Sequence, residues 1–131
     1  MTNDTNSIAS DGLPIAFVYV AERDRALAFY RDVLGATVQD SDDYGDFLAV
    51  KGALVRLTVL PDFTPGPHPV LGWEVKDIAA AAGTLEAGGT ALSRFEGMGQ
   101  DELGITTAPD GGKMAFFTDP DGNALMLTQA A

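Results

Sequence analysis

The chain has no cysteine, which excludes thiolate metal sites, Cys nucleophiles and disulfides together. Its single histidine, His68, stands among four prolines in the run Pro61 to Pro69. There a surface residue is expected rather than a metal ligand, and Glu74 would make it only a poor two-ligand site. Asp119, Asp121 and Asn123 are spaced like the start of a calcium loop. Ala124 replaces the required glycine, however, and Ala130 the closing glutamate. Gly111-Gly112-Lys113 is not a phosphate loop, because Thr107 stands where the first glycine belongs. Polar side chains on otherwise apolar strands include Tyr19, Arg56, Thr58, Glu74 and Thr128. They offer hydrogen bonds and charge to a ligand, with no evident nucleophile or metal set.

The elements that must position them follow from periodicity. Ile15 to Val20 is an apolar, β-branched and aromatic run that predicts a strand. Ala26, Phe29, Tyr30, Val33 and Leu34 recur at helical spacing, and Gly35 stands where a helix wants a left-handed C-terminal residue. Strands are expected at Ala36 to Gln39, Asp46 to Lys51 and Ala53 to Leu60, with a polar turn from Asp40 to Gly45. The proline-rich run 61–69 reads as a linker. The order then repeats. Val70 to Val75 predicts a strand, and Asp77 caps a helix with Ile78, Ala81, Ala82 and Leu85 on its apolar face. Strands follow at Thr90 to Phe95, Met114 to Thr118 and Ala124 to Thr128, with a glycine-rich loop from Glu96 to Lys113. Residues 13–60 and 70–131 thus form two βαβββ modules of one α+β domain. Helices segregated to one face of each sheet leave the other uncovered, and two such half-sheets facing one another enclose a cleft.

At 131 residues, with 46% hydrophobic and 21% charged residues, the chain is long enough for one globular core. A net charge of −11 disfavours nucleic-acid backbones and anionic membrane surfaces. No stretch approaches the ~20 apolar residues of a membrane span. Residues 1–12 lack a basic start and an apolar run, and read as a disordered leader outside the fold, so a cytoplasmic protein is expected.

Ala28-Phe29-Tyr30-Arg31-Asp32-Val33-Leu34-Gly35 and Phe116-Phe117-Thr118-Asp119-Pro120-Asp121-Gly122-Asn123 resemble the two signatures of the vicinal oxygen chelate superfamily. That group comprises glyoxalases, bleomycin-resistance proteins and extradiol dioxygenases, and the resemblance covers Pro14 to Thr128. Both signatures serve shape: one is a helix closing on glycine, the other a turn between the last two strands. The resemblance implies lyases, dioxygenases, epimerases or plain binding proteins on this fold. Metal-dependent relatives hold a divalent ion with His and Glu from the first and last strands of each half. Carried over by position, those sites fall on Ile15, Arg56, Val70 and Met126, none of which can serve. A slip of one residue reaches Pro14 or Ala16, Val55 or Leu57, Pro69 or Leu71, and Leu125 or Leu127, which are no better. No metal and no cofactor are therefore expected.

In that register Ile15, Phe17 and Tyr19 point into the cleft, as do Leu54, Arg56 and Thr58, then Val70, Gly72 and Glu74, and finally Ala124, Met126 and Thr128. Trp73 faces the helices. The expected ligand-binding set is Phe17, Tyr19, Arg56, Thr58, Glu74, Met126 and Thr128, a mostly apolar lining that suits a small hydrophobic or aromatic molecule. Arg56 and Glu74 are expected to pair, since an interior charge stripped of its partner costs about 3–5 kcal/mol. A ligand carboxylate or carbonyl would then compete for Arg56. The expected function is a metal-independent binding protein of the bleomycin-resistance kind, with no catalytic residues. The alternatives are a lyase, isomerase or dioxygenase-like enzyme of the same superfamily, or an interaction domain with a vestigial cleft. A homodimer is expected, with the modules paired within one chain or across two.

Overall fold

The computed structural model describes residues 7–131. A short helical turn, α1 (Ile8–Asp11), with no buried residue precedes the first strand. It is a correction to the disordered leader, of which residues 1–6 lie outside the described residues. The first module contains β1 (Ile15–Val20), α2 (Arg23–Leu27) running on as a π-helical segment (Ala28–Val33), β2 (Thr37–Asp42), β3 (Gly45–Val50) and β4 (Ala53–Val59). The second contains β5 (Leu71–Glu74), α3 (Ile78–Ala87), β6 (Thr106–Thr107), β7 (Lys113–Thr118) and β8 (Ala124–Gln129). Each module folds its strands into one four-stranded sheet, in the orders β1-β4-β3-β2 and β5-β8-β7-β6. The parallel pairs are β1 with β4 and β5 with β8; all others are antiparallel.

The two repeats close their helices as the sequence predicts. Gly35 takes a φ of +78°, and Asp77 Oδ1 accepts the Ala80 N–H at 3.1 Å to cap α3. In the π-helical segment the Leu34 N–H reaches the Phe29 carbonyl at 3.1 Å. This wider turn lets the consecutive Phe29 and Tyr30 both turn inward, where both are buried. The predicted strand at Thr90 to Phe95 does not form. Leu92 is buried, and Gln100 takes the Phe95 N–H and donates to the Ser93 carbonyl, so a side chain satisfies backbone that a ladder would otherwise use. The second strand of that module is only Thr106–Thr107.

The modules meet through their helix-covered faces. Val18, Leu48, Val55 and Leu57 of the first sheet and Ala115, Phe117, Leu125 and Leu127 of the second belong to one continuous core. Phe29 lies 6.4 Å from Phe117 between ring centroids. The two sequence signatures touch here: the Tyr30 hydroxyl donates to Asp119 Oδ2 at 2.8 Å. Burial, and then the Asp119 carboxylate beside it, pushes the Tyr30 pKa far up, so the phenol stays a donor. Asp121 Oδ1 accepts from the Ala21 N–H and from Arg25, and Asn123 Nδ2 donates to the Tyr19 carbonyl. The turn between β7 and β8 therefore fixes the end of β1. The linker reaches the open side of β1, where Phe63 lies 5.6 Å from the Tyr19 ring.

Candidate functional site

Alternation along the strands places the predicted residues as expected on the first sheet. Val18 and Val20 are buried towards the helices, whereas Ile15, Phe17 and Tyr19 remain 41%, 62% and 40% exposed. The parallel register sets Phe17 beside Arg56 and Tyr19 beside Thr58, and β3 adds Phe47 on the other side of Arg56. The open face is thus an aromatic and aliphatic surface with one cation at its centre.

Arg56 does not pair with Glu74. Its Nη2 donates to Asp42 Oδ1 at 2.8 Å, and its guanidinium carbon lies 4.6 Å from the centroid of the Phe47 ring. Asp42 lies on the same sheet and the same face, opposite Gly45, whereas Glu74 belongs to the open face of the second sheet. Among the described residues Glu74 has no ion-pair partner. Asp42 Oδ1 also accepts the Tyr44 and Gly45 N–H groups at 2.8 and 3.1 Å, so the carboxylate is fixed before Arg56 reaches it. The Arg56 bond, then the Tyr44 N–H, holds the Asp42 carboxyl below the usual range. Arg56 is only 8% exposed, and its Nη1 is buried with no partner among the described residues. A buried charged donor left unmatched is uncommon and costly.

The hairpin carrying Asp42 is held from behind. Arg23 donates from Nε and Nη2 to the two Asp46 oxygens at 3.1 and 2.9 Å, and from Nη2 to the Asp42 and Gly45 carbonyls at 2.7 and 2.8 Å. The Ser41 hydroxyl donates to Asp46 at 2.6 Å. Burial opposes ionisation of Asp46, but the bonds from Arg23 and Ser41 outweigh it and keep its pKa low. The start of α2 therefore positions the partner of Arg56.

On the second sheet Met126 pairs with Gly72 and Phe116, and Thr128 with Glu74 and Met114, so all share the open face. Beside them lies a cavity of about 430 Å³, a size within the range of small-molecule sites. The linker around His68 forms one wall, Phe95 and Met98 another, and Phe116 and Thr118 contribute the floor. Phe95 meets Phe116 edge-on at 5.6 Å. The loop presenting it is braced by Gln100, which donates to the Ser93 and Gly104 carbonyls at 2.9 Å each. His68 is exposed, as the sequence suggests, but it also helps to shape this cavity.

The structure gathers Phe17, Tyr19, Arg56 and Thr58 on one face and Glu74, Met126 and Thr128 on another. Within one chain it does not bring the two groups together. Sequence reasoning missed Asp42, Phe47, Phe95, Met98 and Phe116. Alternation along β3 and β7 signals Phe47 and Phe116; no local pattern signals Phe95 or Met98.

This fold and its open-faced sheets define a family. The chain belongs to the glyoxalase/bleomycin resistance protein/dioxygenase superfamily, whose family model matches residues 12–127. Among solved structures it is similar to a glyoxalase family protein from Enterococcus faecalis, at 18% identity and a TM-score of 0.74, covering 92% of this chain and 98% of that one. It is also similar to a genomically encoded fosfomycin resistance protein from Listeria monocytogenes, at 14% identity and a TM-score of 0.72, covering 92% and 93%. A superfamily member from Sphaerobacter thermophilus matches at 22% identity and a TM-score of 0.69, covering 90% and 96%. None of the curated proteins matches the chain.

The donor set does not fit the divalent ion that metal-dependent members of the family hold. Ile15 and Arg56 share the open face of the first sheet, Met126 that of the second, and the Val70 N–H is spent on the Ala124 carbonyl. A one-residue slip reaches Ala16, Val55, Leu57, Leu125 and Leu127, which face the helices. Among the described residues there is no group of three or more His, Cys, Asp or Glu able to hold a metal.

Proposed function

We propose that this chain is a metal-independent binding protein for a small hydrophobic or aromatic molecule, and that two copies build its cleft. The observation that carries this reading is the uncovered apolar face of the first sheet, centred on Arg56 rather than on a metal donor. A contiguous exposed apolar surface marks an interaction site. A second copy laying its second sheet over the first sheet of its partner would cover that face. Phe17, Tyr19, Arg56 and Thr58 of one chain would then face Glu74, Met126 and Thr128 of the other.

The lining supports sequestration or resistance rather than catalysis through a metal-polarised carbonyl, because no side chain there supplies the Lewis acid's ligands. The carboxylate Glu74 alone does not make a proton-transfer site. No described helix is long and apolar enough to cross a membrane, and a cytoplasmic location belongs to the same proposal.

Light scattering combined with Nile red fluorescence tests it. The wild type is expected to be a dimer that binds the dye, while Phe17→Asp places a charge on the covered face. That variant is expected to be monomeric, with dye binding at least about tenfold weaker and an unchanged circular dichroism spectrum. A monomeric wild type that ignores the dye would defeat the proposal.

A further inference from the structure

We infer that the ligand's aromatic body seats within one chain, in the cavity of about 430 Å³ on the second sheet, and that the ligand is uncharged and presents a neutral polar group to Thr118. The inference rests on the binding reading above and names the seat and the ligand class.

The floor of the cavity follows from alternation along β7. Phe117 is fully buried towards the helices, so Phe116 and Thr118 turn to the open face, where Thr118 is exposed beside Ala124 of β8. Phe95 stands edge-on to Phe116 at 5.6 Å, and the Met98 thioether completes a soft apolar wall. The other wall is the linker at Pro67, His68 and Pro69. Both walls are held before any ligand arrives. Gln100 Oε1 accepts the Phe95 N–H at 2.7 Å, and Arg94 donates to the Asp101 carbonyl at 2.6 Å and to the Glu102 carbonyl. The prolines fix the linker backbone, which rests on the turn between β7 and β8: a Cβ on Gly122 would lie 3.4 Å from Pro65 Cγ. Preorganised walls spare a ligand the cost of ordering them.

Charge sets the ligand class. The chain has 19 Asp and Glu and 8 Lys and Arg residues, yet none of these is among the described residues that line the cavity. His68, the one ionisable side chain there, is exposed to water. An ion seated against Phe95 and Phe116 would lose hydration without gaining a counter-ion. An alcohol or carbonyl loses less and regains a hydrogen bond at the Thr118 hydroxyl.

Calorimetric titration with three naphthalenes of similar size separates the alternatives: 2-naphthalenemethanol, 2-naphthoate and 2-naphthylmethylammonium. On the wild type the alcohol is expected to bind about tenfold or more tighter than either ion. Phe95→Glu places a carboxylate in the wall, and is expected to reverse the order of alcohol and ammonium. Thr118→Val keeps the side-chain shape but removes the hydroxyl, and is expected to weaken the alcohol about three- to tenfold. Both positions are exposed, and melting curves establish that the variants are folded. Either ion matching the alcohol on the wild type, an order unmoved by Phe95→Glu, or an alcohol affinity unmoved by Thr118→Val would overturn the inference and leave the cleft reading standing. A wild type that binds Nile red but none of the three naphthalenes would do the same. Failure of Nile red and all three naphthalenes together would overturn the cleft reading as well.

Discussion

Alanine at position 45 should lower the melting temperature by about 10 °C or more, a loss of at least about 3 kcal/mol, for the addition of one methyl group. A Cβ on Gly45 would sit 1.8 Å from the Leu57 carbonyl oxygen and 3.1 Å from the Thr58 Cα. Both are backbone atoms, so no rotamer relieves the clash and β3 must leave β4. That movement reaches the site. The Gly45 N–H donates to Asp42 and its carbonyl accepts from Arg23, so displacing it loosens the carboxylate that orients Arg56. Calorimetric melting of the variant checks the expectation. A melting temperature within about 3 °C of wild type would show that the close approach of the two strands is not a constraint.

Asp119→Ala should be comparably severe through a different cause. The carboxylate is 4% exposed and accepts from the Tyr30 hydroxyl, Asn123 Nδ2 and the backbone N–H groups of Asp121 and Asn123, all at 2.8–2.9 Å. Truncation strands the phenol and the Asn123 N–H in the core without an acceptor, and leaves the Asn123 amide only the Tyr19 carbonyl. At about 1–3 kcal/mol for each orphaned buried group, the total is about 3–5 kcal/mol, or about 10–20 °C in melting temperature. Tyr30→Phe removes one bond and should cost about 1–2 kcal/mol alone. Added to Asp119→Ala it should cost almost nothing further, because the phenol already has no acceptor. Additive losses in that double variant would mean that the two groups do not act together. The coupling lies at the joint between the modules, so Asp119→Ala should also weaken dye binding by shifting the end of β1 through Asn123 and Tyr19.

Much of the fold is legible because its period is legible. The runs Ile15 to Val20, Ala53 to Leu60 and Ala124 to Thr128 are largely apolar with clear turn residues near their ends, and each forms a strand within one residue of the bounds expected of it. The cleft faces of β1 and β4 follow from alternation alone, and so does Arg56 as the charge at their centre. Its partner does not. A register shift between Val38 and Asp40 changes which residues of β2 share a face, and it puts Asp42 beside Arg56 where unbroken alternation from Thr37 would not. Glu74 was the available carboxylate on the predicted cleft strands. It lies on the other sheet, and the sequence carries no signal of how the two sheets sit in one chain. The Tyr30–Asp119 bond spans 89 residues and is equally invisible to local reasoning. Thr90 to Phe95 reads as a strand by composition and is lost to the side-chain bonds of Gln100, a competition that propensity does not weigh.

These open faces, as proposed, bind an organic molecule without a metal. The most direct measurement is a calorimetric titration of Ni²⁺ and Zn²⁺ into chelator-treated protein, with Nile red binding recorded before and after chelation. The account predicts no stoichiometric tight metal binding and dye affinity unchanged by the chelator. One tightly held divalent ion per cleft, with dye binding lost on chelation and restored by the metal, would contradict it.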